Sequence, residues 1–210
     1  MMEKMSIHRA LAEIKTYNKR ISSAIEQTFI VANKKSNTKI KGMTIEEYKS
    51  KIQSNIDTIK ALIENRKILK AAVTMSNAKT IVDIAGKSYT VAEAIDRKNM
   101  ISTDRYFVDS MKRQYLRENN IVEEENKKLP DLLEKYLQSI LGEKDKRTVE
   151  DIELHTKAFY SRNEYELIDP MNIKNYIDKY EKELDEFETN VDYILSESNA
   201  TTFIEVDLCN

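Results

Sequence analysis

From Ile173 onward, Ile177, Tyr180, Leu184, Phe187, Val191 and Ile194 follow one another in alternating steps of four and three, with acids and lysines between them. That spacing keeps a single narrow stripe on one side of an α-helix, and so narrow a stripe is covered by another helix. The same rhythm occurs twice more. Ser6 is placed to cap a helix carrying Ile7, Leu11, Ile14, Asn18, Ile21 and Ile25. Thr44 with Glu47 forms a capping box ahead of a second helix, whose seam reads Ile45, Tyr48, Ile52, Asn55, Ile59, Leu62, Arg66, Leu69 and Val73. Little interrupts these runs, because the 210 residues include three glycines and two prolines. The expected fold is mainly α with a small β-sheet: long antiparallel coiled-coil-like helices, elongated, with β-hairpins at one end.

If the first two helices fold back on each other with Ile25 facing Tyr48 and Ile21 facing Ile52, Asn18 comes opposite Asn55. Two amides in a seam satisfy each other and fix register at some cost in stability, so the pair reads as a register pin. Between these helices, residues 28 to 41 (TFIVANKKSNTKIK) hold a β-branched and aromatic run, a polar turn and a shorter extended run, the pattern of a β-hairpin. A second hairpin is expected at TIVDI, a turn at Ala85-Gly86-Lys87, and Ser-Tyr-Thr, which leads into another capping box, Thr90 with Glu93.

The third helix is expected from Val91 to Lys128, with apolar doublets at Met100-Ile101, Phe107-Val108 and Ile121-Val122 and Tyr115 in the same phase. Pro130 should break or restart it after Leu129. Residues 131 to 141 then form a short apolar helix ending at Gly142, and Thr148 caps another to about Arg162. These signals divide the chain into 1–128 (long-helix hairpins with two β-hairpins), 129–169 (a short helical segment) and 170–210 (a returning coiled-coil helix and a C-terminal strand), the first and last forming one unit.

One nine-residue pattern is used twice. Ser76-Asn77-Ala78-Lys79-Thr80-Ile81-Val82-Asp83-Ile84 is matched in residue type by Ser198-Asn199-Ala200-Thr201-Thr202-Phe203-Ile204-Glu205-Val206. Both lie where a long helix gives way to a strand, so they read as one helix-stop-and-strand device, and the two strands are expected to share a sheet.

Nothing in the sequence points to catalysis. The glycines stand alone, which excludes a glycine-rich phosphate loop, and no Cys or His cluster has metal-ligand spacing. His8 and His155 are far apart and read as ordinary surface or partly packed residues. Cys209 has no neighbouring His to lower its thiol pKa and no partner for a disulfide. The acids at Glu123-Glu124-Glu125 and around Glu181 to Glu188 flank heptad stripes, where solvated charge belongs. With 34 basic and 36 acidic residues interspersed, the net charge of −2 gives no field favouring a polyanion, and the basic runs at Lys34, Lys35, Lys39 and Lys41 and at Arg66, Lys67 and Lys70 read as solvated surface. No apolar run approaches the length of a signal peptide or membrane span. No enzyme activity, cofactor, metal or small-molecule substrate is expected, and neither nucleic acid nor membrane is the expected partner.

The segment Leu62 to Ile101, with SNAKT at 76 to 80 and GKSYTVAEAIDRK at 86 to 98, resembles the central region of the septicolysin-like family of small helical proteins. There a long helix ends at an Asn-containing turn, followed by a short strand pair with Gly and a helix that opens with Thr and Ala-rich residues before an Arg. The whole chain, with its Lys-rich hairpin, YTVAEAIDRKN and SNATTFIEV, is similar to proteins from structural-gene regions of tailed bacteriophages of low-GC Gram-positive bacteria. That likeness implies a virion component made in the host cytoplasm: a capsid decoration, cement or minor head protein, a homo-oligomer or present in several copies, contacting other virion proteins such as the major capsid protein through helix and strand-edge contacts. A tail or baseplate component, a cytoplasmic coiled-coil adaptor and a membrane-active septicolysin-like protein are the alternatives. The residues expected to matter are structural: Asn18 and Asn55, then Ser76, Asn77, Thr80, Gly86, Thr90 and Glu93, and Ser198, Asn199 and Thr202.

Overall fold

The computed structural model describes residues 2–144 and 148–209. Their order is β1 (Met2–Ser6), α1 (Ile7–Ile25), β2 (Lys39–Ile40), β3 (Met43–Thr44), α2 (Ile45–Lys79), β4 (Ile81–Ile84), β5 (Lys87–Thr90), α3 (Val91–Leu141), α4 (Val149–Asn163), α5 (Ile173–Thr201) and β6 (Phe203–Asp207). The protein is mainly α. Its strands form three separate antiparallel pairs, β1 with β6, β2 with β3 and β4 with β5. The strand pairing differs from the sequence reading in two ways. β4 and β6 share no sheet, and the strand pairs are not gathered at one end, since β2–β3 precedes α2 and β4–β5 follows it.

Packing divides the chain into residues 1–100 with 186–210, and residues 101–185. The division falls inside α3 and α5, not at 128/129 and 169/170.

In the first unit the heptad seams are the buried faces. Ile7, Ala10 and Ile14 of α1 meet Leu69 and Val73 of α2, and the inward residues Met5, Ile204 and Val206 of the β1–β6 ladder close the end of this core. Met5 faces Ile204 across that ladder. The register between α1 and α2 is therefore set at the β1–β6 end, and it brings Asn18 opposite Arg66, whose Nε donates to the Asn18 side-chain Oδ1. Asn55 lies about three turns away along α2 and donates to the Thr28 carbonyl at 3.1 Å. The expected Asn18–Asn55 pair is thus not formed, because the segment from 26 to 44 runs back along the first turns of α2 and occupies the seam there. For the same reason the TFIV run makes no strand. Only Lys39–Ile40 and Met43–Thr44 pair, around a two-residue turn at Lys41 and Gly42 with φ of 49° and 83°.

In the second unit α3 and α5 share a core of Val108, Ile177 and Leu184. Phe159 of α4 packs its ring 5.3 Å from that of Tyr136 on α3. Helix α3 runs through Pro130 without a break, against the expectation of a stop. Proline removes one backbone hydrogen bond and crowds the preceding turn, at roughly 3 kcal/mol. Leu129 and Leu137, 3% and 5% exposed on either side of it, hold the helix in place by burial of comparable size. Pro130→Ala is accordingly expected to stabilise the protein by about 1–3 kcal/mol, the lower end allowing for the greater entropy of the unfolded alanine chain. Thermal denaturation of the full chain checks this, and a lowered midpoint would count against a continuous helix.

Candidate interaction surfaces

The twice-used sequence device is also one structural device. At the end of α2, the Thr80 N–H closes the last turn on the Ser76 carbonyl at 2.8 Å, while the Thr80 carbonyl accepts from the N–H of Val91, the first residue of α3. At the end of α5, the Thr202 N–H bonds the Ser198 carbonyl at 2.9 Å, and the Thr202 carbonyl accepts from Ile7, the first residue of α1. Each threonine thus ties the end of one helix to the start of another through a strand pair. Asn77 and Asn199 are both half-buried at matching places one turn before.

The correspondence extends well beyond the nine residues. Val82 and Ile84 are buried on β4 as Ile204 and Val206 are on β6, and Val91 and Ala94 are buried on α3 as Ile7 and Ala10 are on α1. Leu69 and Val73 of α2 match Val191 and Leu195 of α5, all buried. Ile14 beside Leu69 corresponds to Lys98, which pairs with Asp192 next to Val191. The first unit is therefore an internal pseudo-repeat of helix, strand, strand, helix. One copy is continuous, α2–β4–β5–α3. The other is assembled from the two ends of the chain, α5–β6 and β1–α1.

The continuous copy is closed by Ala85 and Gly86, with φ of 52° and 73°, a two-residue turn whose twist suits a hairpin. Thr90 caps α3. Its hydroxyl accepts from the Glu93 N–H at 3.1 Å, and the Glu93 carboxylate accepts in return from the Thr90 N–H at 2.7 Å. That backbone bond, with one from the Thr90 hydroxyl, holds the Glu93 carboxyl below the usual range, as Thr44 does for Glu47. The other copy has Ser6 as cap, accepting from the Arg9 N–H.

Two residues outside the sequence reading complete this region. Asn65, only 6% exposed, donates to the Cys209 carbonyl at 2.9 Å and accepts from the Cys209 N–H at 2.7 Å. Its amide acts as a short piece of strand that holds the chain just beyond β6. Arg97 lies over the Phe187 and Tyr89 rings, 4.7 Å and 5.6 Å from their centroids, a cation–π arrangement at the place taken by Glu13 in the other copy. In the second unit, Asn126 clamps the Tyr165 backbone in the same two-bond manner as Asn65, both bonds being 2.8 Å.

His8 is exposed, and His155 stands edge-on to Tyr136 at 6.1 Å. Among the described residues no three His, Cys, Asp or Glu converge on a metal position, and no helix is long and apolar enough to cross a membrane.

Two surfaces among the described residues combine several exposed apolar side chains with an irregular segment. In the second unit, α3 buries Val108 and Leu129 while Phe107, Leu116, Ile121 and Leu132 are exposed. The extended segment after α4 adds Ile168 and Met171, 92% and 64% exposed, beside a cleft of about 290 Å³ lined also by Met111 and Tyr115. In the first unit, Ile25 at the end of α1 and Phe29, Ile30 and Met43 in the segment that follows are exposed together with Lys34, Lys35, Lys39 and Lys41. No known family model matches this chain, and no curated protein and no solved structure matches it.

Proposed function

We propose that this protein is a non-enzymatic structural component of a tailed-phage virion, associated with the capsid as a decoration, cement or minor head protein. The apolar surface of the second unit carries the reading. On α3, Phe107 and Ile121 lie two heptads apart beside the buried Val108 and Leu129 and are exposed, and Ile168 and Met171 stand out from the segment after α4. Isolated exposed apolar residues are ordinary, but a run of large ones along one helix and its flanking segment is the surface of a protein that works against partners. The resemblance read from the sequence alone supplies the setting, and in this proposal the partners are other virion proteins, the major capsid protein among them.

Quantitative mass spectrometry of purified particles tests this. Copies in proportion to the major capsid protein are the expected result for a capsid role, and a few copies per particle would move the protein to the tail or portal. Absence from particles would overturn the reading.

A further inference from the structure

We propose that the segment joining α1 to α2 is a peripheral docking site for an anionic lipid surface. Four lysines, Lys34, Lys35, Lys39 and Lys41, fall between Glu26 and Glu46 with no acidic residue among them. All four are exposed, and none is held by a carboxylate among the described residues. A fifth, Lys51, lines with Lys41 a cleft at the first turns of α2, together with Thr28, Tyr48 and Asn55. In a chain whose charges otherwise interleave to a net −2, this is a local excess of one sign.

The lysines are mixed with projecting apolar side chains. Ile30 is 87% exposed and Ile25 55%, with Phe29 and Met43 beside them at 36% and 38%. Met43 shares the cleft with Lys41 and Lys51, Ile25 ends α1, and Phe29 and Ile30 project from the irregular segment between. A nucleic acid offers phosphates to the lysines but no place for the aliphatic Ile30. A protein partner would need an apolar hollow rimmed by acids. A bilayer with anionic headgroups supplies both halves of the match, because apolar side chains sink to the acyl boundary while the lysine stems reach back to the headgroups. Since no described helix spans a membrane, the attachment is superficial. The site does not depend on whether the protein is packaged in a particle.

Each lysine held near such a surface strengthens partitioning about fivefold, so the four together amount to on the order of several hundredfold. The experiment is co-sedimentation of the full chain with phosphatidylcholine vesicles, with and without phosphatidylserine, at low and physiological salt. The wild-type chain is expected to bind only the phosphatidylserine vesicles, and less at higher salt. The variant K34Q/K35Q/K39Q/K41Q should lose on the order of a hundredfold or more in partitioning, and Ile30→Asp should weaken it without changing the thermal unfolding midpoint, since Ile30 packs against little. The proposal is overturned if the wild type ignores both vesicles, binds both equally, or binds duplex DNA through the same four lysines more tightly than it binds the anionic vesicles. None of these outcomes bears on virion copy number, so this reading and the structural one fail separately.

Discussion

Stopping the chain after Thr202 is expected to abolish cooperative folding of the unit that contains the chain ends. The lost strand carries Ile204 and Val206, 8% and 4% exposed, worth about 1.5–3 kcal/mol each on burial. Its loss also uncovers Met5, which faces Ile204 across the ladder. The buried Asn65 amide is left without either Cys209 bond, at about 1–3 kcal/mol more. The sum, roughly 4–9 kcal/mol, is comparable with the whole stability of an ordinary domain. Circular dichroism and denaturant titration of the truncated chain provide the check. A cooperative transition within a few degrees of the intact protein would show that the β1–β6 pair is peripheral to the core.

Leu69→Ala is expected to lower stability by about 2–5 kcal/mol, since Leu69 is fully buried where α1, α2 and the β1–β6 pair meet. Its counterpart in the pseudo-repeat, Val191, is 1% exposed, and Val191→Ala should cost less because fewer carbons are removed. Val191 is not part of the Leu69 cluster, so the double variant should show the sum of the single effects within a few tenths of a kcal/mol. Guanidinium unfolding of the three variants measures this. A loss well under 1 kcal/mol for Leu69→Ala would mean that the heptad seam of α2 is not packed as described.

The elements that were legible in the sequence are those whose signal is periodic or local. Ile177, Leu184, Phe187 and Val191 lie on the α5 seam and are buried as their spacing demands. The boxes at Thr44 and Thr90 are formed by residues three apart, so no tertiary knowledge was needed to find them. The recurrence of SNAKTIVDI in SNATTFIEV marked a reused device, and both threonines do the same work. The partner of the second strand was not legible. β1 is the short, charged MEKMS, with Glu3 and Lys4 masking the single inward Met5.

Register failed for a related reason. Steps of three and four repeat along a helix, so Asn18 finds a seam position opposite it in several registers, and only the distant β1–β6 core chooses among them. The TFIV run and Pro130 show tertiary context outweighing local propensity in opposite directions: a β-prone run held along α2, where Asn55 binds the Thr28 carbonyl, stays irregular, and a proline flanked by buried leucines stays helical. Asn65 bore no mark in the sequence, because an asparagine beside a seam reads as solvated until something is found to lie against it.

The pseudo-repeat has a kinetic consequence. Its two strand pairs are alike in geometry and opposite in the search that forms them. β4 meets β5 across two residues, whereas β1 meets β6 only when Met2 finds Asp207 from the far end of the chain. Closing the longer loop costs more chain entropy, and pairings of that span form late. The continuous copy is thus in a position to nucleate, and the copy made from the two chain ends to assemble on it, so that two versions of one architecture enter the folding pathway at its beginning and at its close.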